Sequence, residues 1–170
     1  MTTLPTPLVI CCIGPAGVGK TTLGQALAGA FKIPFLEGDD FHPAESRAAM
    51  ARGIPLTDEQ REPWLDRLNA ALHQTQGSVV LACSALKPHL RQRLIKGLPN
   101  VRWIVPEVDR AILTERLQKR PGHFFPEALL ASQLADWDPP EGENVLRYHL
   151  TAPLDNVLVQ IKKFALLLPF

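Results

Sequence analysis

The segment Gly14-Pro15-Ala16-Gly17-Val18-Gly19-Lys20-Thr21 constrains this chain more than any other, because it meets G-x-x-x-x-G-K-[ST] at every fixed position. That pattern requires a strand before it and a helix after it, and both are legible. Leu8-Val-Ile-Cys-Cys-Ile13 is an unbroken apolar run ending in glycine, as expected of a strand covered on both faces. Leu23, Ala26, Leu27 and Ala30 then fall at i, i+3, i+4 and i+7, one apolar stripe of a helix from about Lys20 to Phe31. Glycines let the backbone curl so that successive N–H groups and the helix N-terminus face phosphate oxygens, while Lys20 adds a point charge. The loop and first helical turn, Gly14 to Thr21 and on to Thr22, are therefore expected to hold a nucleoside triphosphate, with the Thr21 hydroxyl on Mg²⁺.

Strand and helix patterns keep alternating beyond the loop. Ser78–Cys83 and Val101–Val105 are further apolar runs, followed by helical patterns through Leu94 and from Asp109 to Lys119. A short strand near Phe35 and a last one over Val145–Leu150 bring the count to five, which predicts a parallel sheet with right-handed crossovers in an α/β domain. About forty residues separate the second and third strands, too many for a plain connection. Within them Thr57-Asp-Glu-Gln60 fits a capping box, and Trp64, Leu65, Leu68 and Leu72 share one face, so a helical insertion is expected over about 40–75. Pro121, Gly122 and Pro126 break the next helical region, which places a mobile lid over about 120–138.

With 170 residues the chain fits one domain spanning 1–170, against a prior of roughly 150 residues per domain. A net charge of +1 supplies no bulk field for nucleic acid or an anionic membrane, so any bound anion must be gripped locally. No apolar run approaches the roughly 18 residues of a spanning helix, and the N-terminus lacks a signal peptide's basic stretch, so a cytoplasmic location is expected. Cys11, Cys12 and Cys83 show no zinc spacing and are expected to be free thiols without a structural metal.

No Asn-Lys-x-Asp sequence occurs, no apolar strand ends in the usual Walker-B aspartate, and the chain is short for a motor, which leaves a small-molecule kinase. Such an enzyme needs a base and local cations around the transferred group. Glu37-Gly-Asp39-Asp-Phe-His42-Pro43 follows the second strand, at the carboxyl end where open α/β sheets gather ligands. Asp39 is the candidate base or acceptor anchor, against an ordinary turn acid; His42 reads either as a substrate contact or as a packed or capping histidine; Glu37 would hold magnesium through water. Arg116 and Arg120, spaced i and i+4, either clamp the transferred phosphoryl group or form a solvated basic face. Lys87 and Arg91 follow the third strand, and an anionic acceptor would account for these cations. Lys20, Arg61, Lys87, Arg91, Arg116 and Arg120 are expected to converge on one cleft, with Asp and Glu elsewhere.

Taken together, the phosphate loop, Glu37-Gly-Asp39-x-x-His42-Pro43, Pro55-Leu-x-Asp58-x-x-Arg61-x-Pro63-Trp64, Cys83-Ser-Ala-Leu-Lys87 with Arg91, and Arg116 through Gly122-His-Phe124 to Ser132-Gln133 resemble the small P-loop gluconokinases. The resemblance covers about residues 8–150. It implies ATP- and Mg²⁺-dependent phosphorylation of D-gluconate to 6-phosphogluconate, feeding the pentose phosphate pathway. It also implies a three-layer P-loop kinase fold, like that of nucleoside monophosphate and shikimate kinases, with strand order 2-3-1-4-5, a lid, a substrate-binding helical insertion and a homodimer. On this resemblance Lys20, Asp39, Arg116 and Arg120 are catalytic, and Asp39, His42, Arg61, Lys87, Arg91 and His123 contact the acceptor. Arg61 and Arg91 are the candidates for its carboxylate, since a guanidinium offers two parallel donors. Glu37 stands where the family usually has Asp, and Val145-Leu-Arg-Tyr-His-Leu150 departs from the usual last strand. Rival readings are a shikimate-type kinase, which lacks Cys83-Ser-Ala-Leu-Lys87, and a non-catalytic ATP sensor, which would not need so complete a site.

Overall fold

A computed structural model describes residue 4, residues 7–122 and residues 125–167 of the chain. Strand β1 (Val9–Ile13) runs through the phosphate-loop segment into α1 (Lys20–Phe31), then β2 (Phe35–Glu37), a 3₁₀ turn (Gly38–Phe41), α2 (Ala44–Ala51) and α3 (Asp58–Gln74). There follow β3 (Val79–Cys83), α4 (Pro88–Leu94), β4 (Val101–Glu107), α5 (Arg110–Gln118), α6 (Glu127–Asp136), β5 (Val145–His149) and α7 (Leu154–Leu167). The five strands lie in the order β2-β3-β1-β4-β5, and all four pairings are parallel. The expected topology and strand count are both present.

Side-chain alternation along the strands builds the three layers. Ile10, Cys12, Val80 and Ile104 point to one face, where Leu23 and Leu27 of α1, Leu113 of α5 and Ile161 of α7 cover them. Val9, Cys11, Ile13, Val79, Leu81, Trp103 and Val105 point to the other, under Trp64, Leu65, Leu68 and Leu72 of α3 and Leu90 and Leu94 of α4. Burial on both faces is why the central strands read as continuous apolar runs rather than alternating ones. It also removes the thiols from solvent: the three cysteines are free and buried, and burial pushes Cys12 and Cys83 up to about 12.

Helix α3 starts where the sequence signals it. The Gln60 N–H donates to Thr57 Oγ1 at 3.2 Å and the Thr57 N–H donates to Gln60 Oε1 at 2.9 Å, closing the capping box. The apolar C-terminal region is a packed helix as far as it is described, with Val157, Ile161 and Ala165 of α7 buried, while Leu154, Val159 and Leu166 stay exposed. Among the described residues no helix is long and apolar enough to cross a membrane. Because every strand points the same way, the segments after β1, β2 and β3 open on one edge of the sheet, and the site is built there.

Candidate active site

Gly14 adopts φ 137°, and a Cβ there would come 2.9 Å from Cγ of Pro106 on the neighbouring β4, so only glycine lets the chain leave β1 in this direction. The loop then wraps around the side chain that follows it: Lys20 Nζ donates to the Pro15 carbonyl at 3.0 Å. Burial draws the Lys20 pKa below the ordinary lysine value, and the negative charge of Asp39 opposes that fall, so this carboxylate acts electrostatically on the loop lysine. Thr21 Oγ1 donates to Glu37 Oε2 at 2.5 Å, joining the start of α1 to the end of β2. Glu37 Oε1 accepts the Asp39 N–H at 3.4 Å and caps the 3₁₀ turn, while Thr22 is exposed in the first turn of α1. From the opposite side, Arg116 of α5 donates to the Gly17 carbonyl at 3.3 Å and to the Leu150 carbonyl after β5. Gln133 of α6 accepts the Ala16 N–H at 2.7 Å.

A cavity of about 300 Å³ opens beside the loop, lined by Asp39, His42, Arg61, Trp64, Ser132 and Gln133 among others. Its floor is fixed by close packing. A Cβ on Gly38 would lie 2.5 Å from the Ala82 carbonyl, and the Gly38 carbonyl accepts Trp64 Nε1–H at 2.7 Å. His42 stacks on Trp64 with ring centroids 4.1 Å apart at 16°. His42 is packed and only 5% exposed, as one of its two readings expected, and it also lines the cavity. Burial depresses its pKa to about 4 against the pull of Asp39, so it is neutral near pH 7, and its buried Nδ1 has no hydrogen-bond partner among the described residues. Trp64 is likewise both core and cavity wall.

Arg61 and Lys87 meet two carboxylates. Arg61 NH1 donates to Asp58 Oδ1 at 3.1 Å and to Asp136 Oδ2 at 2.9 Å. Lys87 Nζ donates to both Asp58 oxygens at 3.0 and 3.1 Å and lies 3.3 Å from Asp136 Oδ1. His89 Nε2 adds a contact to Asp58 at 3.1 Å. Burial alone would raise the Asp58 pKa, yet the Lys87 hydrogen bond and the nearby cations bring it below the ordinary value; the same bond raises Lys87. The expectation that Asp and Glu lie away from the cations thus needs correction. Asp58 was legible as the i−3 neighbour of Arg61, but Asp136 comes from 75 residues along the chain and no local signal announces it.

Arg91 also departs from expectation. Its guanidinium is 5% exposed and donates to the carbonyls of Ala85 (3.0 Å), Leu86 (2.9 Å) and Asp138 (2.7 Å), tying the start of α4 to the segment after α6. A planar fork satisfied by three carbonyls shapes the backbone around the cavity instead of lining it, which leaves Arg61 as the guanidinium that does. Arg120 is exposed beyond the end of α5, and His123 lies outside the described residues.

A model of the AAA domain matches residues 9–140. The thermosensitive gluconokinase of Escherichia coli (strain K12) is 37% identical over 159 residues, covering 91% of this chain and 85% of that protein. A gluconokinase of Gluconobacter oxydans (strain 621H) is 38% identical over 146 residues, with 83% and 82% covered. Among solved structures, a gluconokinase from Sinorhizobium meliloti 1021 superposes with a TM-score of 0.82 at 35% identity, over 97% of this chain and 91% of that one.

Proposed function

The chain belongs to the gluconokinase family, with an AAA-domain core, and on that premise we propose that it transfers the γ-phosphoryl group of ATP to the 6-hydroxyl of D-gluconate. The observation that carries the reading is a phosphate loop and an arginine-lined cavity that share one carboxylate, Asp39. ATP phosphates lie along Gly14 to Thr22. Gluconate enters the cavity with its carboxylate toward Arg61 and Lys87 and its far end toward Asp39. The 6-hydroxyl oxygen attacks the γ-phosphorus, the bond to the β–γ bridging oxygen breaks, and the hydroxyl proton passes to Asp39, leaving ADP and 6-phosphogluconate.

Lys20 offsets the charge that builds on the bridging oxygen, where a preorganised cation acts most strongly. Arg116, already touching the loop at Gly17, and Arg120 add positive charge around the moving group. His42, neutral and lining the cavity, is an uncharged acceptor contact, and His123 is a further one. Arg91 positions the wall behind them. Thr21 and Glu37 bring two oxygen ligands together, a donor set that suits a hard cation, so they would hold Mg²⁺, Glu37 through water. The cation would neutralise phosphate charge.

The segment 40–75 serves as the acceptor-binding insertion and 120–138 as the lid that excludes water. The enzyme works in the cytoplasm as a homodimer, for which the exposed Leu154, Val159 and Leu166 of α7 offer apolar surface, and it takes no nucleic acid. A coupled assay with ATP and a panel of sugar acids tests the reading: gluconate should be the preferred acceptor, and no turnover of gluconate above background refutes it.

A further inference from the structure

Gln133 ties α6 to the phosphate loop by a side-chain hydrogen bond, and the chemistry of that contact leaves half of its amide with a different task. Of the two polar atoms of a carboxamide only the oxygen accepts, so the 2.7 Å bond from Ala16 N–H fixes which end of the Gln133 amide faces the loop: Oε1 accepts, and Nε2 sits beside it. Nε2 carries two donors and has no hydrogen-bond partner among the described residues, although Gln133 lines the cavity together with Asp39. A side chain bonded to the phosphate loop on one side and lining the acceptor cavity on the other stands beside the path of the group that crosses between them. The backbone behind it is well braced: the Asp138 N–H donates to the Leu86 carbonyl at 3.1 Å, Arg91 donates to the Asp138 carbonyl at 2.7 Å, and Asp136 is held by Arg61 and Lys87. In this arrangement of the lid segment, Gln133 is thus held against the loop from a helix anchored at its C-terminal end, as preorganised stabilisation requires.

We propose that Gln133 is a further catalytic residue: its Oε1 holds Ala16 in the phosphate loop while its Nε2 donates a hydrogen bond to a γ-phosphoryl oxygen of ATP. This rests on the kinase reading of the site and adds to it a contact to the γ-phosphate that ADP lacks. Glu is the discriminating replacement, because a carboxylate still accepts the Ala16 N–H but has no donor and repels the phosphate. A residue that only caps Ala16 would tolerate Gln133→Glu.

The test measures ATP and ADP affinity by calorimetry, with kcat, both KM values and the unfolding midpoint, for wild type, Gln133→Glu and Gln133→Ala. Losing one hydrogen bond to a charged group predicts ATP binding weakened about tenfold in Gln133→Glu, with ADP binding within about twofold. kcat should fall further in Gln133→Glu than in Gln133→Ala, with the gluconate KM and the unfolding midpoint little changed. Equal effects on ATP and ADP, or wild-type kcat in Gln133→Glu, overturn the proposal. If wild type binds ATP but does not phosphorylate gluconate, the acceptor reading fails and the ATP-against-ADP comparison still decides the role of Gln133.

Discussion

At the scale of single residues, charge placement decides function. Lys20 is drawn down in pKa by burial yet is held beside Asp39 and Glu37, so its removal takes a cation from the phosphate side of the site without opening a core cavity. Lys20→Ala should lower kcat by about a hundredfold or more, the scale of losing one preorganised charge contact, with an unchanged far-ultraviolet spectrum. Arg61→Ala should raise KM for gluconate about tenfold or more while KM for ATP moves little; equal shifts would assign Arg61 to the ion network alone. His42 predicts a pH effect. Its folded pKa of about 4 lies below the ordinary 6.5, so the unfolded chain takes up the proton first as pH falls. The resulting stability is complete above pH 6.5 and is lost between pH 6.5 and about 4, by roughly 3 kcal/mol. Unfolding curves for wild type and His42→Phe over that window check this, since Phe preserves a ring against Trp64 and removes the titration. A parallel pH dependence in the two proteins contradicts it.

Among the secondary-structure elements, the turn after β2 and the start of α3 hold the acceptor side in place. Gly38 packs its α-carbon against the Ala82 carbonyl while its neighbours Glu37 and Asp39 carry the site's carboxylates. Gly38→Ala should cost about 1–3 kcal/mol through overpacking and lower kcat as well, because relief of the clash must shift both carboxylates. Thr57→Ala removes the cap that begins α3 and should cost about 1 kcal/mol, read from denaturant midpoints. These elements were legible to different degrees. β1, α1 and α3 announced themselves because an apolar run, a 3.6-residue stripe and a capping box are local chemistry. The 3₁₀ turn did not, and neither did the Thr21–Glu37 contact, which joins two elements 16 residues apart.

For the molecule as a whole, function and stability are linked through the sheet edge where the loops meet. A nucleotide that binds only the folded chain adds about 2.7 kcal/mol of stability at a hundred times its dissociation constant, and so should raise the unfolding midpoint by about 5–10 °C. Thermal scans with and without MgATP measure this, and the shift should shrink in Lys20→Ala. The near-neutral net charge of +1 is also accounted for at this scale. Arg61 and Lys87 are balanced by Asp58 and Asp136 before any acceptor arrives, so the site concentrates charge of both signs without a bulk field.

The sequence by itself determined the phosphate loop and the two-faced parallel sheet, because each rests on residues close in the chain or on periodic burial, while the strand order followed from the family that its motifs resemble. Tertiary structure alone decided which cations remain available. Arg91, one of two equal candidates for the acceptor carboxylate, turned out to serve three backbone carbonyls, whereas Arg61 lines the cavity. Asp136 and Gln133 acquired their contacts only when α6 folded back onto residues 75 and 117 positions away. A guanidinium or an amide has the same composition whether it faces a carbonyl, a carboxylate or a phosphate, and hydrogen-bond partners that distant are set by how the layers pack.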